Sequence, residues 1–445
     1  MLKTFSIGGV HPRENKLSAH QPIIKAELPT QAVILLGQHI GAPARPVVAK
    51  GDVVKVGTKI AEAAGFVSAA IHSSVSGTVA KIDSIVDAGG YAKPAIFIDV
   101  KGDEWEESID RDGTLLKECN LPAEEIVKKI AEAGIVGLGG ACFPTQVKLT
   151  PPPTSKADCL IINAVECEPY LTADHQLMLE HAEEIMVGVS ILMKAVKVNK
   201  AFIGIENNKP DAVQLFTKVA GGYAGIEIVP LKVQYPQGGE KQLIDAIIKR
   251  QVSSGALPIS TGAVVQNVGT AFAVYEAVQK NKPLLERVVT VTGKSLSKPS
   301  NFLVRIGTPV QQLIDACGGL PEDTGKIISG GPMMGKALIN TAVPTAKGTS
   351  GILIMNRKEA KRADVQPCIR CAKCVNACPM GLEPYLLSAL AENTEFERME
   401  KERIMDCIEC GSCQFTCPAN RPLLDYCRLG KGKVGALIRS RQAKN

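Results

Sequence analysis

Apolar runs broken by glycine fill the first hundred residues of the chain. The segments VVAKGDVVKVGTKIAEA at 47–63 and AAIHSSVSGTVAKIDSI at 69–85 are rich in Val and Ile, and small turn residues interrupt them every few positions. Such runs are typical of short strands joined by tight turns. Residues 1–100 are therefore predicted to form a domain of short strands. Charged residues and the single Trp follow at 101–118, which are predicted to form a linker.

Helical and strand patterns alternate between residues 119 and 285. PAEEIVKKIAEAG, from Pro122, has helical spacing with acidic residues in its first turn. DCLIINAVECEP, from Asp158, predicts a buried strand that runs into a loop. This alternation favours a mostly parallel, Rossmann-like α/β sheet. The later elements are predicted as a helix at 175–196, a strand at 200–208, a helix at 209–220, a strand at 226–233 and a helix at 240–250.

The pattern changes twice more before the end of the chain. Residues 286–355 combine β-rich stretches with one short helical stretch, which predicts a small α+β module. Residues 360–427 hold most of the cysteines, with helix-forming stretches such as PYLLSALAENTEF between them. We therefore expect a multidomain α/β chain with domains at 1–100, 119–285, 286–355 and 360–427, followed by a basic tail at 428–445.

Composition and charge narrow the functional class. Of 445 residues, 45% are apolar, and the mean hydropathy of +0.08 is ordinary for a globular protein. No apolar run approaches the roughly 18 residues of a membrane span, and the N-terminus lacks the apolar stretch of a signal peptide. We expect a soluble, cytosolic chain that reaches a membrane only through a partner. A net charge of +6 is too small to indicate nucleic-acid binding. The basic tail is interpreted either as a solvated, disordered end or as a contact for an acidic partner or an anionic membrane face.

Eight of the fourteen cysteines lie in two copies of one motif, CIRCAKCVNACP at 368–379 and CIECGSCQFTCP at 407–418. Each copy reads C-x2-C-x2-C-x3-C-P. In two-cluster ferredoxins, the first three Cys of such a run bind one [4Fe–4S] cluster and the fourth binds the other. Zinc sites commonly use two separate C-x2-C pairs, so zinc is the less favoured alternative. The predicted ligands are Cys368, Cys371, Cys374 and Cys417 for one cluster, and Cys407, Cys410, Cys413 and Cys378 for the other. The scattered Cys119, Cys142, Cys159, Cys167, Cys317 and Cys427 are expected to be small buried side chains.

Two further stretches carry candidate chemistry. In GIVGLGGACFPTQVK, at 134–148, the glycines let backbone N–H groups approach an anion, and the Lys could add a charge to a phosphate. A plain loop is the alternative, because the stretch follows a predicted helix. NAVECEPYLTADH, at 163–175, places an amide and two acids where a predicted strand ends, which is where ligands sit in open α/β sheets. The alternative for these acids is that they cap the following helix.

These residues carry a resemblance to a known family. GLGGACFPTQVK and NAVECEP resemble the flavin and NADH site of the complex I flavoprotein subunit family, as do YPQGGE at 235–240 and QNVGT at 266–270. The module at 286–355 resembles that family's β-grasp (SLBB) domain. KGDVVKVG and SSVSGTV resemble the halves of a lipoyl-type barrel-sandwich domain, although no Lys lies between Lys59 and Lys81 to carry a cofactor. In this order, with an α-helical, two-cluster ferredoxin-like domain last, the parts are similar to the C-subunit family of the Rnf ion-translocating electron-transport complex.

The resemblance implies the roles of individual residues. The implied sets are Gly137, Gly139, Gly140 and Lys148 at the FMN phosphate, Asn163 and Glu166 along the flavin, Phe143 and Glu168 at the nicotinamide nucleotide, Gly238, Gly239 and Glu240 lining the same pocket, and Asn267 and Thr270 near the FMN. The sequence departs from the pattern of the complex I flavoprotein subunit family at Cys142 and Gln146, where that family carries glycine, and at Val165, Gly239 and Gly269, where it carries acids.

The implied cofactors fit one another chemically. Nicotinamide passes electrons in pairs as hydride and clusters pass them singly, so FMN belongs between NAD(H) and the two [4Fe–4S] clusters. No side chain is expected to act as nucleophile or essential acid. The resemblance implies the catalytic, NAD-binding subunit of an ion-translocating ferredoxin:NAD⁺ oxidoreductase. It would lie peripherally on the cytoplasmic face of the bacterial cell membrane, with membrane subunits and a ferredoxin-like subunit as partners.

Two alternatives remain open. One is a soluble flavin and iron–sulfur cobalamin reductase, in which the flavin domain precedes the barrel-sandwich domain. The other is a non-catalytic electron-wiring subunit with a degenerate flavin pocket, which the departures at Val165 and Gly269 suggest.

Overall fold

The computed structural model describes residues 2–442. Its strands are β1 (Ile23–Lys25), β2 (Gln31–Leu35), β3 (Arg45–Pro46), β4 (Val53–Val54), β5 (Lys59–Glu62), β6 (Ile71–His72), β7 (Gly77–Val86), β8 (Ala92–Val100), β9 (Cys159–Asn163), β10 (Ala201–Glu206), β11 (Ile226–Leu231), β12 (Ala263–Asn267), β13 (Glu286–Thr292), β14 (Ser300–Arg305), β15 (Thr324–Ser329), β16 (Lys336–Ala337) and β17 (Gly351–Asn356). Its helices are α1 (Ala123–Glu132), α2 (Thr145–Leu149), α3 (Ala173–Glu180), α4 (Ala182–Val196), α5 (Pro210–Ala220), α6 (Glu240–Ile248), α7 (Val268–Gln279), α8 (Val310–Ala316), α9 (Arg357–Ala360), α10 (Lys373–Asn376), α11 (Pro384–Glu392), α12 (Phe396–Lys401), α13 (Ser412–Phe415) and α14 (Leu423–Gln442). Short 3-10 turns lie at Pro258–Thr261 and Ile404–Asp406. Within residues 2–442, no helix combines the length and the apolar character that a membrane crossing requires.

Two antiparallel sheets make up the barrel-sandwich domain, one in the order β2-β8-β7-β4 and the other in the order β3-β5-β6. Successive side chains on a strand point to opposite faces, so one face of each sheet can be apolar throughout. Ile34, Ile60 and Ile98 are accordingly fully buried in one shared core. Gly77 begins β7 with φ +154°, where a Cβ would collide with the backbone oxygen of Asp99.

The second domain is a parallel sheet in the order β11-β10-β9-β12. Because side chains alternate along each strand, Leu160 and Ile162 of β9 pack in the core that includes α4 and α7, whereas Ile161 packs with residues of α6. Helices therefore cover both faces, as the strand–helix alternation predicted.

A six-stranded mixed sheet in the order β1-β14-β13-β17-β15-β16 forms the β-grasp module, with α8 packed on it. Its edge strand β1 comes from the N-terminus and runs parallel to β14, with Ile23 opposite Asn301. Residues 3–25 thus contact other domains before the barrel-sandwich sheets begin, a route that the sequence did not indicate.

Helices α10 to α14 surround the cysteine motifs. Leu387, Met399 and Val434 are at most 1% exposed in their common core. The interpretation of 428–445 as a disordered end is wrong for residues 428–442, because they continue α14: Val434 is buried, and Arg441 Nη1 lies 2.7 Å from Glu400 Oε2. Residues 443–445 lie outside the described residues.

Other sequence predictions were incomplete. The helix expected at 175–196 is divided into α3 and α4 at His181 (φ −130°, ψ 37°), and Glu180 Oε1 accepts a hydrogen bond from Ile23 N of β1 over 2.8 Å. Strand β12 and helix α7 were not predicted.

The expected linker at 101–118 is anchored through Trp105, whose ring centre lies 4.6 Å from the guanidinium carbon of Arg111 and 4.5 Å from that of Arg305.

Candidate functional site

Two asparagines stand side by side at the carboxyl edge of the parallel sheet. Asn163 ends β9, Asn267 ends β12, and the two are paired in register. Asn163 Nδ2 donates to Gly238 O over 2.8 Å, which draws in the loop before α6. Asn267 Oδ1 accepts from Gly269 N over 2.9 Å and caps α7. Three loops therefore meet above these strand ends, the position at which ligands bind in open α/β sheets.

The Gly-rich loop between α1 and α2 packs directly on this edge. Leu138 N donates to Thr270 Oγ1 over 2.9 Å, so Thr270 holds the loop from below. A Cβ on Gly139 would lie 3.2 Å from Asn267 Cβ, closer than nearly all real Cβ contacts. Gly140 has φ +131° and open space where a Cβ would project. Both positions therefore favour glycine, one for space and one for backbone conformation.

Within residues 2–442, four donors on the Gly-rich loop, at the start of α2 and at the end of β12 have no hydrogen-bond partner. The backbone N–H groups of Gly139 and Gly140 have no hydrogen-bond partner there. The Thr145 hydroxyl and Gln266 Nε2 are buried without one. Gly139 and Gly140 are exposed, so their adjacent backbone N–H groups are open to an anionic, hydrogen-bond-accepting group such as the phosphate end of a flavin nucleotide.

The rim of the cleft above the strand ends includes four more predicted residues, Phe143, Lys148, Gly239 and Glu240. Phe143 is half-buried, and its carbonyl accepts from Gly137 N over 2.9 Å. Lys148 Nζ lies 2.6 Å from Glu240 Oε1, at the start of α6, where Gly239 is the N-terminal capping residue. The Lys148 charge is thus paired with a carboxylate, and its contact with the FMN phosphate stays a prediction.

The two acids after β9 have separate partners. The Glu166 carboxylate accepts from Asp174 N and His175 N over 2.8 and 3.2 Å, so the helix-capping alternative describes its contacts. The Glu168 carboxylate accepts from Met333 N and Met334 N over 3.1 and 2.8 Å. Burial raises the pKa of Glu168 to about 7 against the effect of these donors. A contact between Glu168 and the nicotinamide nucleotide stays a prediction.

A buried lysine ties three domains together behind the loop. Lys347 is 1% exposed, and its Nζ donates to Gly134 O and Ala70 O over 2.7 and 2.8 Å. Burial lowers the pKa of Lys347 to about 7. Gln146, one of the departures from the family pattern, adds a second link by donating from Nε2 to Ser68 O over 2.8 Å. The barrel-sandwich domain and the β-grasp module thus both support the Gly-rich loop.

The cysteines of the second predicted set lie together. Cys378, Cys407, Cys410 and Cys413 line one largely apolar cavity, although Cys378 comes from the first motif. Burial raises the pKa of Cys413, and the neighbouring Cys410, Cys407 and Cys378 add to that rise. The donor set and the apolar enclosure fit an iron–sulfur cluster with crossed ligation.

Backbone and side-chain donors approach these sulfurs. Leu382 N lies 3.4 Å from Cys378 Sγ, and Glu409 N lies 3.4 Å from Cys407 Sγ. The Cys427 thiol also lines the cavity, and its hydrogen bond is the main cause of a lowered Cys407 pKa of about 7. Cys427 is buried, as predicted, but the sequence did not indicate its place beside these cysteines, because its spacing belongs to neither motif.

The first predicted set is closer to the surface. Cys368 and Cys371 are exposed, while Cys374 and Cys417 are half-buried. Burial raises the pKa of Cys374, and the charge of Cys417 contributes, so these two thiols from different motifs are neighbours.

The two candidate sites are joined by direct contacts between the α/β domain and the second cysteine set. The Tyr235 hydroxyl donates to Cys410 O over 2.8 Å. Gln242 Nε2 donates to Pro379 O over 3.1 Å, next to Cys378. Tyr235 and Gln242 flank the Gly238–Glu240 stretch, so the same loop borders both sites.

Each of the four domains matches the model of a known protein family. Family models match the RnfC barrel sandwich hybrid domain at residues 3–103, the Nuo51 FMN-binding domain at 130–276, the SLBB domain at 288–337 and a 4Fe-4S dicluster domain at 360–418. A curated relative from Clostridium ljungdahlii, the C subunit of the proton-translocating ferredoxin:NAD(+) oxidoreductase complex, is 47% identical, with 100% of this chain and 97% of that protein covered. This chain belongs to the RnfC family.

Other members of the RnfC family are similarly close. The C subunit of the Na(+)-translocating ferredoxin:NAD(+) oxidoreductase complex of Acetobacterium woodii is 45% identical, with 96% of each chain covered. The C subunit of the ion-translocating oxidoreductase complex of Rhodobacter capsulatus is 43% identical over 97% of this chain and 84% of that one. The predicted resemblance and the fold class of four modules are confirmed. The cobalamin reductase alternative is not favoured.

Two residues that depart from the complex I flavoprotein subunit pattern, Val165 and Gly269, have clear structural roles in this chain. Val165 is fully buried in the core beneath the sheet edge, and its carbonyl accepts from Lys209 Nζ over 2.7 Å. A Cβ on Gly269 would lie 3.1 Å from Asn267 Oδ1, which the Gly269 N–H already occupies. At these two positions, where the complex I flavoprotein subunit pattern has acids, the residues of this chain serve packing and helix capping.

Proposed function

We propose that this chain is the NAD(H)-facing, catalytic subunit of a ferredoxin:NAD⁺ oxidoreductase complex, peripheral to the cytoplasmic face of the membrane. The contact between Tyr235 and Cys410 carries this proposal, because it places a cluster-type cysteine set against the loop that borders the flavin-type cleft. The names of the relatives from Clostridium ljungdahlii and Acetobacterium woodii support the reaction. Membrane subunits and a ferredoxin-like subunit would be its partners. Domain limits are proposed near residues 100, 119, 285, 355 and 360, and the last domain, predicted to end at 427, extends through α14.

Each part of the cleft has a proposed task. The N–H groups of Gly139 and Gly140 hold the FMN phosphate, helped by Gly137 and Lys148. Asn163, Glu166, Asn267 and Thr270 fix the loops that lie along the flavin. Phe143 and Glu168 face the nicotinamide nucleotide, with Gly238, Gly239 and Glu240 on the opposite rim. Bound FMN would exchange electron pairs with nicotinamide and single electrons with clusters. The chain's own work is to bind, orient and enclose, so no side chain is assigned as nucleophile or proton donor.

The two cysteine sets are proposed to hold an inner cluster, near the flavin, and an outer cluster, farther from it. Cys378, Cys407, Cys410 and Cys413 hold the cluster nearer the flavin, because their loops touch Tyr235 and Gln242. Cys368, Cys371, Cys374 and Cys417 hold the outer cluster, since two of these thiols are exposed. The outer cluster is therefore placed to exchange electrons with the partner subunit.

Iron and flavin analysis of anaerobically purified chain tests the proposal. We expect about eight irons and about one FMN per chain, with flavin and cluster absorbance both bleached by NADH. A chain with both clusters but no FMN, and no response to NADH, would instead match the electron-wiring alternative, for which the apolar Val165 is the motivating observation.

A further inference from the structure

The N-terminal arm, residues 3–16, runs across two domains before it enters its own. Lys232 N donates to Lys3 O over 2.9 Å, which adds Lys3 beside the edge strand β11. Ser6 N donates to Asp245 Oδ2 over 2.7 Å on α6. The first half of the arm is thus attached to the α/β domain.

The middle of the arm contacts the cysteine-bearing unit. Gly9 N donates to Ala377 O over 3.0 Å. Gly8 has φ +75°, and a Cβ there would lie 2.6 Å from the backbone carbon and oxygen of Cys378. Only glycine satisfies both the backbone conformation and the close approach, so this contact is specific to the sequence.

Val10 connects that contact to Tyr235. Val10 N donates to Tyr235 O over 2.8 Å, and Tyr235 N donates to Val10 O over 2.9 Å. Val10, Tyr235, Ala377 and Cys410 share one small buried apolar cluster. The arm therefore lies between the loop before α6 and the backbone that carries two cluster-type cysteines.

The end of the arm reaches the strand-end loop of the flavin-type cleft. Lys16 Nζ donates to the carbonyls of Glu166, Glu168 and Leu171 over 2.9, 2.9 and 2.6 Å. Burial lowers the pKa of Lys16 despite the nearby Glu166 charge. One continuous segment thus holds both the cysteine loops and the loop after β9.

We propose that residues 3–16 act as a positioning clamp that fixes the inner cluster against the flavin cleft, with Gly8, Val10 and Lys16 as its three fixed points. This inference rests on the proposed function for the identity of the two sites. The clamp touches neither reacting atoms nor sulfur, so its effect is on the geometry and protection of the Cys378 and Cys410 loops. It assigns a role to the N-terminal GGVHPRENK stretch, which no cofactor motif accounts for.

Gly8→Ala in the complete chain tests the clamp, with Gly113→Ala as the matched control, because Gly113 has open space around its Cβ position. We expect unchanged FMN content and NADH bleaching of the flavin in both variants. In Gly8→Ala alone, exchange of the backbone amides of Ala377, Cys378, Met380 and residues 409–411 should rise at least about tenfold, as should iron release to a chelator. Equal values in the two variants would overturn the proposal, whereas loss of the NADH response in unmodified protein would overturn the proposed function instead.

A measurement on the unmodified chain covers the case in which Gly8→Ala does not fold. The Gly9 and Val10 amides should be protected from exchange to within about tenfold of the Tyr235 amide, because they belong to one bonded unit. Exchange of the arm at the rate of a free peptide would overturn the clamp.

Discussion

The Tyr235 hydroxyl donates a 2.8 Å hydrogen bond to the backbone oxygen of Cys410, and Tyr235 itself is only 2% exposed. This bond joins the two halves of the redox apparatus through a side chain of the flavin-type domain and the main chain of the cluster-type domain. Burial raises the pKa of Tyr235, so its hydroxyl remains a donor throughout the physiological range.

Tyr235→Phe removes that donor and keeps the ring. A buried carbonyl that loses its partner costs about 1 kcal/mol, which corresponds to roughly a fivefold change in an opening equilibrium. We expect iron release from the inner cluster to a chelator to accelerate by that factor. Tyr426→Phe is the control, since Tyr426 lies in the same cysteine-bearing domain without a contact to Cys410 O. Equal release from both variants would contradict a holding role for the hydroxyl.

Gly140→Ala tests the phosphate cradle. Its φ of +131° strains any other residue, and its new methyl group would project into the open space of the cleft. We expect FMN content to fall by about tenfold, with both clusters retained. Gly65→Ala serves as control because its Cβ position is also open but lies on the barrel-sandwich hairpin. Normal FMN content in Gly140→Ala would place the flavin elsewhere.

Cys378→Ala tests crossed ligation. We expect the loss of the same electron paramagnetic resonance signal that Cys413→Ala abolishes, with about four irons remaining per chain. Cys427→Ala should keep both signals, because Cys427 lies outside both motifs although it lines the same cavity. If Cys378→Ala abolished the signal that depends on Cys374, ligation would follow the motifs instead of crossing between them.

Glu168→Gln tests whether the Glu168 carboxylate binds the nicotinamide nucleotide or only holds the β-grasp loop at 333–334. The amide keeps one acceptor for the backbone N–H groups of the loop at 333–334, but it removes the negative charge. If the carboxylate contacts the nucleotide, KM for NADH should rise about tenfold while iron content, FMN content and cluster spectra stay unchanged. The exposed Glu62→Gln is the control. An unchanged KM would restrict Glu168 to holding the β-grasp loop.

Lys347→Met tests whether the buried lysine makes the folding stability of the chain depend on pH. In the folded chain the Lys347 pKa is lowered from 10.5 to about 7, so between those values the unfolded chain binds more protons, and stability should rise as pH rises. The slope from one such group is at most about 1.4 kcal/mol per pH unit. The contribution of Lys347 to this rise should be visible from about pH 7 to about pH 8.5, and Lys347→Met should remove that contribution.

Two neighbours titrate outside that window. The His72 pKa is lowered to about 3, chiefly by burial, so its contribution changes below pH 6.5. Burial raises the Cys142 pKa above 9.0, so its contribution changes above that pH. Thermal unfolding midpoints of both chains across the window provide the measurement, and parallel curves would argue against Lys347 as the titrating group.

Local patterns determined much of this protein. The spacing of Cys368 to Cys417 identifies cluster chemistry, because consecutive turns place thiolates three residues apart toward one centre. The apolar runs of β9 and β10 and the acidic first turn of α1 predict the α/β layer, because burial and helix capping act over a few residues. The glycines at 137–140 mark a tight turn, since Gly140 has a positive φ that glycine adopts most readily.

Tertiary structure alone decided how these parts meet. The arm from Lys3 to Lys16, the Lys148–Glu240 pair and the Lys347 junction each join residues more than fifty positions apart, and no local period records such contacts. The division of the predicted 175–196 helix at His181 and the helical end at 428–442 follow from packing against β1 and α12. The hydrophobic pattern of a helix or strand determines which of its faces is apolar. Which other element packs on that face depends on the folding of the whole chain.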